Sequence, residues 1–333
     1  MKDALNGSLN TNDLLNVSGE RFSIYALDLF RFQYAHNELY RRYCDIIGLS
    51  VTDVTTLTQI PFLPISFFKT HEVLTLPATA GACSLVFESS GTTGSVNSRH
   101  MVFDPEVYRI SLLNGFQKFY GPPSDYVILA LLPSYLERAN ASLVYMAKTL
   151  MEAGAHADSG FYINEWDKLS RTIQKHQGHR KVLLLGVTFA LLDFAEAHPA
   201  VLKDVIVMET GGMKGRRTEM TRAEVHMQLS DLLGIPIIHS EYGMTELLSQ
   251  AYATGNGIFR PTATMLPLVR DINDPLDVKP AGSGVLNIVD LANVYSCAFI
   301  ATEDMGRIHT DGSFEVLGRI DHSALRGCSL MAV

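Results

Sequence analysis

Between residues 22 and 47, apolar and aromatic side chains (Leu27, Phe30, Phe32, Tyr34, Leu39, Tyr43 and Ile47) recur at the spacing of one helix face. Gly48 follows where a C-cap is needed, so the pattern predicts a helix over 22–47. After a proline-containing segment at 60–67, the run CSLVF at 83–87 reads as a strand. Downstream the two periods alternate. Residues 126–132 read as a buried strand, 141–153 as a helix closed by Gly154, 181–185 as a strand, and the next stretch to about Ala197 as a helix. A strand at 204–208, a helix at 221–233 ended by Gly234 and a strand at 235–239 complete the series. Strands alternating with helices predict a largely parallel sheet with helices on both faces.

The last third has a different texture. From Gly284 the apolar runs at 285–289, 298–301 and 306–308 are short and separated by turn residues, and Thr310-Asp311-Gly312-Ser313 reads as a hairpin turn before 314–317. The expectation is an α/β fold in two parts: a core over 1–283 and an antiparallel, β-rich region over 284–333.

Composition narrows the class. With 47% hydrophobic residues over 333 positions, the chain can bury a large core. The net charge is −8 and the 27 basic residues form no run that could track a phosphate backbone, so a nucleic-acid partner is not expected. The N-terminal lysine is not followed by an apolar stretch, and the longest apolar run, 182–192, is too short to cross a bilayer, so a cytoplasmic location without a membrane partner is expected. Cys44, Cys83, Cys297 and Cys328 show no paired spacing, which argues for reduced thiols rather than a zinc site.

Candidate chemistry begins at FESSGTTGSVNSRH, residues 87–100. Two glycines and four hydroxyl residues directly after a strand suit a loop that wraps phosphate oxygens with N–H and O–H donors. Such clusters are also ordinary loops, and no Gly-Lys-Ser/Thr follows to make a Walker motif. Other polar motifs sit where strands end, the usual place for ligands in open α/β sheets. They are TGGMKGRR at 210–217, SEYGMTE at 240–246, TEDMGR at 302–307 and GRID at 318–321.

Taken in order, these motifs resemble the core motifs of the adenylate-forming superfamily of acyl-CoA synthetases, adenylation domains and luciferases. The finer texture (TTGSVNSRH, LLPSYLERANASLVYM, ETGGMKGRR and the closing LRGCSLMAV) resembles the acyl-protein synthetases of the bacterial luminescence, fatty-acid reductase type, relatives of the phenylacetate-CoA ligases. The resemblance implies the N-terminal large domain of an adenylate-forming enzyme. The superfamily's mobile C-terminal domain is not expected, because the chain stops twelve residues after Asp321.

The resemblance also implies roles. Ser90, Gly91, Thr92, Thr93 and Gly94 would hold the ATP phosphates, with Arg99 supplying the cation that a Pro-Lys pair usually brings, and His100 beside it. Tyr242 would stack on adenine next to Gly243, Thr245 would meet the α-phosphate, and Glu246 would hold Mg²⁺. Gly211 and Gly212 would form the backbone wall of the adenine pocket. Asp304 would accept from the ribose hydroxyls, and Arg319 would support ribose or phosphate. The plainer readings are a packed tyrosine, a glutamate complementing a helix dipole and a Gly-Gly turn. Cys44, Cys83 and Cys297 sit in apolar runs as inert thiols do, whereas Cys328 lies beside Arg326 and Gly327, where a thiolate is favoured. In the resembling family a cysteine near the C-terminus carries the acyl group.

The reaction so implied joins a carboxylic acid, a fatty acid being the expected case, to AMP. Transfer follows to a thiol, Cys328 being the most economical, for delivery to an acyl reductase subunit or acyl carrier protein. Two alternatives stay open: a coenzyme A or carrier-protein ligase that does not need Cys328, and an inactive homologue that only binds nucleotide. Acid-dependent pyrophosphate exchange separates the last from the others.

Overall fold

In the computed structural model, which describes residues 4–6, 9–75, 83–89, 96–133, 140–211 and 220–320, the strand Tyr126–Leu131 is buried at every position. Lys181–Gly186 is buried at all but its first. Strands apolar on both faces need cover on both, which is the condition of a parallel sheet flanked by helices. These two pair in parallel within a seven-stranded sheet. Its order across the sheet is Arg260–Pro261, Ala251–Ala253, His239–Tyr242, Val205–Glu209, Lys181–Gly186, Tyr126–Leu131 and Gly160–Phe161. The last five run parallel, Ala251–Ala253 is antiparallel to His239–Tyr242, and Arg260–Pro261 is antiparallel in turn to Ala251–Ala253.

The helix boundaries follow local chemistry closely. Thr221 caps the helix Arg222–Leu233 in a reciprocal box with Glu224, and Gly234 ends it in the left-handed region at φ +61°. One strand lies later than its apolar pattern: the predicted 235–239 is His239–Tyr242. Pro236 has no N–H to give a ladder. The paired residues Ser240, Glu241 and Tyr242 are polar yet buried, which a hydrophobic pattern does not reveal.

A second, antiparallel sheet orders Val278–Lys279, Met265–Arg270, Gly282–Asp290, Phe299–Ile308 and Phe314–Arg319, with Leu63–Pro64 added in parallel to Phe299–Ile308. Met265–Arg270 was not singled out by its sequence. Phe299–Ile308 joins two runs that read as separate, because Glu303 and Asp304 interrupt the apolar pattern although Asp304 is buried. The register shifts at Met305/Gly306, and a Cβ on Gly306 would lie 2.7 Å from the Glu315 carbonyl oxygen. Among the described residues, one isolated β-bridge lies between the two sheets. Phe259 and Phe314 exchange backbone hydrogen bonds of 2.7 and 2.9 Å and stack with centroids 5.4 Å apart.

The predicted helix over 22–47 is two helices, Gly19–His36 and Glu38–Ile46. The break falls at Asn37, which is buried and extended (φ −111°, ψ 103°). Its Oδ1 accepts from the Tyr40 amide at 2.9 Å, capping the second helix, while its Nδ2 donates to Thr75 Oγ1 and the Ser296 carbonyl, each at 3.2 Å. Nearby, Gln33 donates to the Asn293 and Val294 carbonyls and accepts from the Ala298 amide. These two amides tie the N-terminal helices to the antiparallel sheet. Asn37→Ala removes a cap and leaves buried partners unpaired, and should lower the unfolding free energy by roughly 2 kcal/mol or more, read from urea denaturation. A change within about 0.5 kcal/mol, the range of ordinary surface substitutions, would mean that Asn37 does not hold this junction.

Candidate active site

The glycine- and hydroxyl-rich segment connects the two strands of a hairpin. Leu85–Glu88 pairs antiparallel with Arg99–Val102, setting Phe87 opposite His100 and Glu88 opposite Arg99. The base of the connection is closed by Ser89 N donating to the Ser98 carbonyl at 3.0 Å and Ser98 N donating to Ser89 Oγ at 2.8 Å. Ser90, Gly91, Thr92, Thr93 and Gly94 lie outside the described residues, as do Gly212 and Cys328.

Arg99 and His100 part company across the hairpin. The Arg99 side chain is half exposed and 3.9 Å from Glu88, an ion pair of small energetic worth in water. His100 points inward and is fully buried, edge-on to Phe68, with Nδ1 2.8 Å from the Thr245 carbonyl oxygen. Burial pulls its pKa down to about 4, and the Thr245 bond offsets this only in part. His100 is therefore neutral at pH 7 and donates from Nδ1. Its bond to Thr245 links the hairpin to the loop carrying Thr245 and Glu246.

That loop leaves the end of His239–Tyr242. The Tyr242 ring packs edge-on against Phe259 and Phe314, and its hydroxyl donates to Asp304 Oδ2 at 2.8 Å. Arg319 Nε donates to Asp304 Oδ1 at 3.1 Å. Three expected site residues from distant parts of the chain thus form one cluster across the two sheets. Gly243 is exposed, and a Cβ there would lie 2.5 Å from Glu241 Oε1, so glycine fits the turn. Thr245 is half-buried.

Glu246 is buried beside the hairpin base. Burial raises its pKa, opposed by a hydrogen bond from the Ser98 side chain and by the charges of Arg319 and Lys69. A buried carboxylate with such partial compensation fits a cation site. Two residues not singled out from the sequence fix the loop behind it. Asp290, fully buried, accepts from Leu248 N (2.7 Å), Ser249 N (3.1 Å), Ser249 Oγ (2.5 Å) and Ala292 N (3.0 Å). Asn293 Nδ2 donates to the Glu246 carbonyl at 2.7 Å. The signal for both was an acid and an amide inside the apolar stretch VLNIVDLANVYSCAF, residues that stay buried only if they are paired.

Gly211 stands at the exposed end of Val205–Glu209, and a Cβ there would touch nothing within 4 Å. It lines a cleft of about 860 Å³ between this strand end, the first turns of Arg222–Leu233 and Phe314–Arg319. Arg222 crosses the cleft wall, donating to Glu209 Oε1 and the Val316 carbonyl, each at 3.0 Å, with its guanidinium 4.9 Å from the Phe259 ring centre. Glu209 and the nearby buried acid Glu241 have opposite fates. Burial works to raise Glu209, but His226, Arg222 and Ser240 outweigh it and hold the pKa down at about 2. Burial and then the Glu209 charge push Glu241 up to about 8, so it is protonated at neutral pH.

The thiols also have distinct settings. Cys44 and Cys297 are buried, and burial pushes both up, Cys44 to about 12, which makes them poor nucleophiles. Cys83 is partly buried.

This fold is that of the large domain of the adenylate-forming enzymes. ATP-bound MatB from Rhodopseudomonas palustris superposes with a TM-score of 0.54 at 19% identity, over 74% of this chain and 50% of that one. A long-chain-fatty-acid-CoA ligase (FadD1) from Archaeoglobus fulgidus gives 0.53 at 15% identity, over 74% and 53%. The chain thus spans about half the length of these solved structures. Residues 16–332 match the family described as Acyl-protein synthetase, LuxE, and the chain belongs to that family of enzymes. Among curated proteins it is similar to the long-chain-fatty-acid–luciferin-component ligase of Aliivibrio fischeri, 24% identical over 336 residues, covering 91% of this chain and 85% of that protein. Among the described residues, no helix is long and apolar enough to cross a membrane.

The Glu209/Glu241 pair gives a pH signature. A folded pKa of about 8 lies above the value of about 4.3 in an unfolded chain, so the native state holds an extra proton between them. The associated stability is complete at low pH and is lost as pH rises through about 8. Glu241→Gln should remove this term, gaining on the wild type by up to about 1.4 kcal/mol per pH unit between pH 5 and 8. Urea denaturation at several pH values measures it. Parallel curves for the two proteins would show that Glu241 is already ionised in the native state.

Proposed function

We propose that the chain activates a carboxylic acid, a long-chain fatty acid by analogy with its Aliivibrio relative, at the expense of ATP. A carboxylate oxygen of the acid attacks the α-phosphorus, a new P–O bond forms, and pyrophosphate leaves with the electron pair of the broken bond. A thiolate then attacks the acyl carbonyl of the adenylate and AMP departs, leaving a thioester. The observation that carries this reading is the convergence of Tyr242, Asp304 and Arg319 with Glu246 and Ser98 around the closed base of the phosphate-type loop.

Each group has a task in this scheme. Asp304 carries two carboxylate oxygens whose present partners are a hydroxyl and a guanidinium, the kind of donors that ribose hydroxyls could join or replace. Glu246 would hold Mg²⁺, which when bound neutralises charge on the phosphates. Neutral His100 keeps Thr245 and the hairpin in fixed relation, so that donors on both sides of the reacting phosphate keep their places as charge develops. The second nucleophile is assigned to Cys328, beside Arg326. The acceptor of the acyl group is proposed to be an acyl reductase or carrier protein.

Acid-dependent ATP–pyrophosphate exchange over a series of fatty acids tests the first step. Glu246→Gln should cut the exchange roughly 10²-fold, the scale of losing one electrostatic stabiliser of the transition state; unchanged exchange would remove Glu246 from the site. Cys328→Ser tests the second step. Exchange should persist, while thioester labelling by radioactive acid and ATP, sensitive to hydroxylamine, should vanish. Labelling that survives this substitution would assign the acyl group to another residue.

A further inference from the structure

We infer that His156, Asp158 and His176 form a binding site for one divalent transition-metal ion, with zinc the best chemical match. The three belong to two elements that the ion would join. His156 and Asp158 lie in the turn between the helix Ser142–Gly154 and the edge strand Gly160–Phe161, and His176 ends the helix Trp166–His176. One ligand atom from each residue lies within 4.8 Å of the other two. Asp158 Oδ2 is 2.7 Å from His176 Nε2, and the two imidazoles meet edge to face with centroids 5.0 Å apart. Two imidazoles and one carboxylate, with a coordination position left to solvent, are a zinc-type donor set.

The site is built before any ion arrives. The Tyr162 hydroxyl donates to the Asp158 carbonyl at 2.9 Å, Ser159 N donates to the His156 carbonyl at 3.0 Å, and Ser159 Oγ accepts from the Ile128 amide at 2.9 Å. The turn is thus fastened to the strand Tyr126–Leu131. His176 sits in the last turn of its helix, where the backbone dipole favours positive charge.

Three local bonds would give way. Asp158 N donates to His156 Nδ1 at 3.1 Å, and Lys175 Nζ and His176 Nε2 lie 2.6 and 2.7 Å from Asp158 Oδ2. The Lys175 side chain is 64% exposed and can swing into solvent. As an ammonium on the ligand oxygen it competes with the ion, which separates a metal site from a plain salt-bridge cluster by experiment. The sheet order leaves three strands between Gly160–Phe161 and His239–Tyr242, so the ion would clamp the sheet edge and take no part in the chemistry.

Equilibrium dialysis of the untagged protein against Zn²⁺ is the test. One saturable ion per chain is expected, weakened at least about tenfold in His176→Gln and in His156→Gln, since loss of a mere supporting contact already costs that much. Lys175→Gln should bind zinc more tightly. Co²⁺ should give a visible spectrum without the thiolate charge-transfer band that binding at cysteine would produce. Pyrophosphate exchange should be unchanged in all three variants. Absence of saturable binding by the wild type, equal binding in the His156→Gln/His176→Gln double variant, a thiolate band, or weaker binding in Lys175→Gln would each overturn the site. Lys175→Gln keeps the test decisive should the histidine variants fold poorly.

Discussion

The buried carboxylate of Asp304 is the point on which the two halves of the site depend. An unpaired charge at that depth would cost several kcal/mol. It persists because the Tyr242 hydroxyl comes from the parallel sheet and the Arg319 guanidinium from the last antiparallel strand. Satisfying one acid thus sets the distance between two sheets, and the Phe259–Phe314 bridge beneath it makes the same join in the backbone. The cleft beside Gly211 opens along this seam.

The acids around the seam illustrate how local context divides identical groups. Glu209 has two basic neighbours and stays ionised; Glu241, without one, keeps its proton; Glu246 has only partial compensation. Asp290 receives three backbone N–H groups and a hydroxyl, yet burial still pushes its pKa up to about 6. The acid with the least compensation beside the hairpin base is the one suited to a cation, whereas Asp290 is already committed to holding the loop.

Much of this was legible in the sequence because it is local. The Thr221 start of a helix, with Glu224 completing its capping box, and the Gly234 stop carry their signals within a few residues. What escaped was set at long range. Asn37 breaks a continuous helical pattern through bonds to Thr75 and Ser296, and the amide itself is no helix breaker. His100 beside Arg99 reads as a basic pair, but its partner Thr245 lies 145 residues away and its ring is buried. Asp304 interrupts an apolar run, yet the strand continues through it because its partners come from two other strands. Polar residues in strands hide from hydrophobic periodicity whenever burial is made tolerable by a distant group.

The central claim is that the Tyr242–Asp304–Arg319 cluster and Glu246 receive the adenylate. A crystal structure with a stable acyl-sulfamoyl adenosine analogue tests it most directly. The account requires the ribose hydroxyls on Asp304, the base against the Tyr242 ring, and the sulfamoyl group between Thr245 and the loop closed by Ser89 and Ser98. An analogue bound elsewhere, with these residues untouched by the ligand, would contradict it.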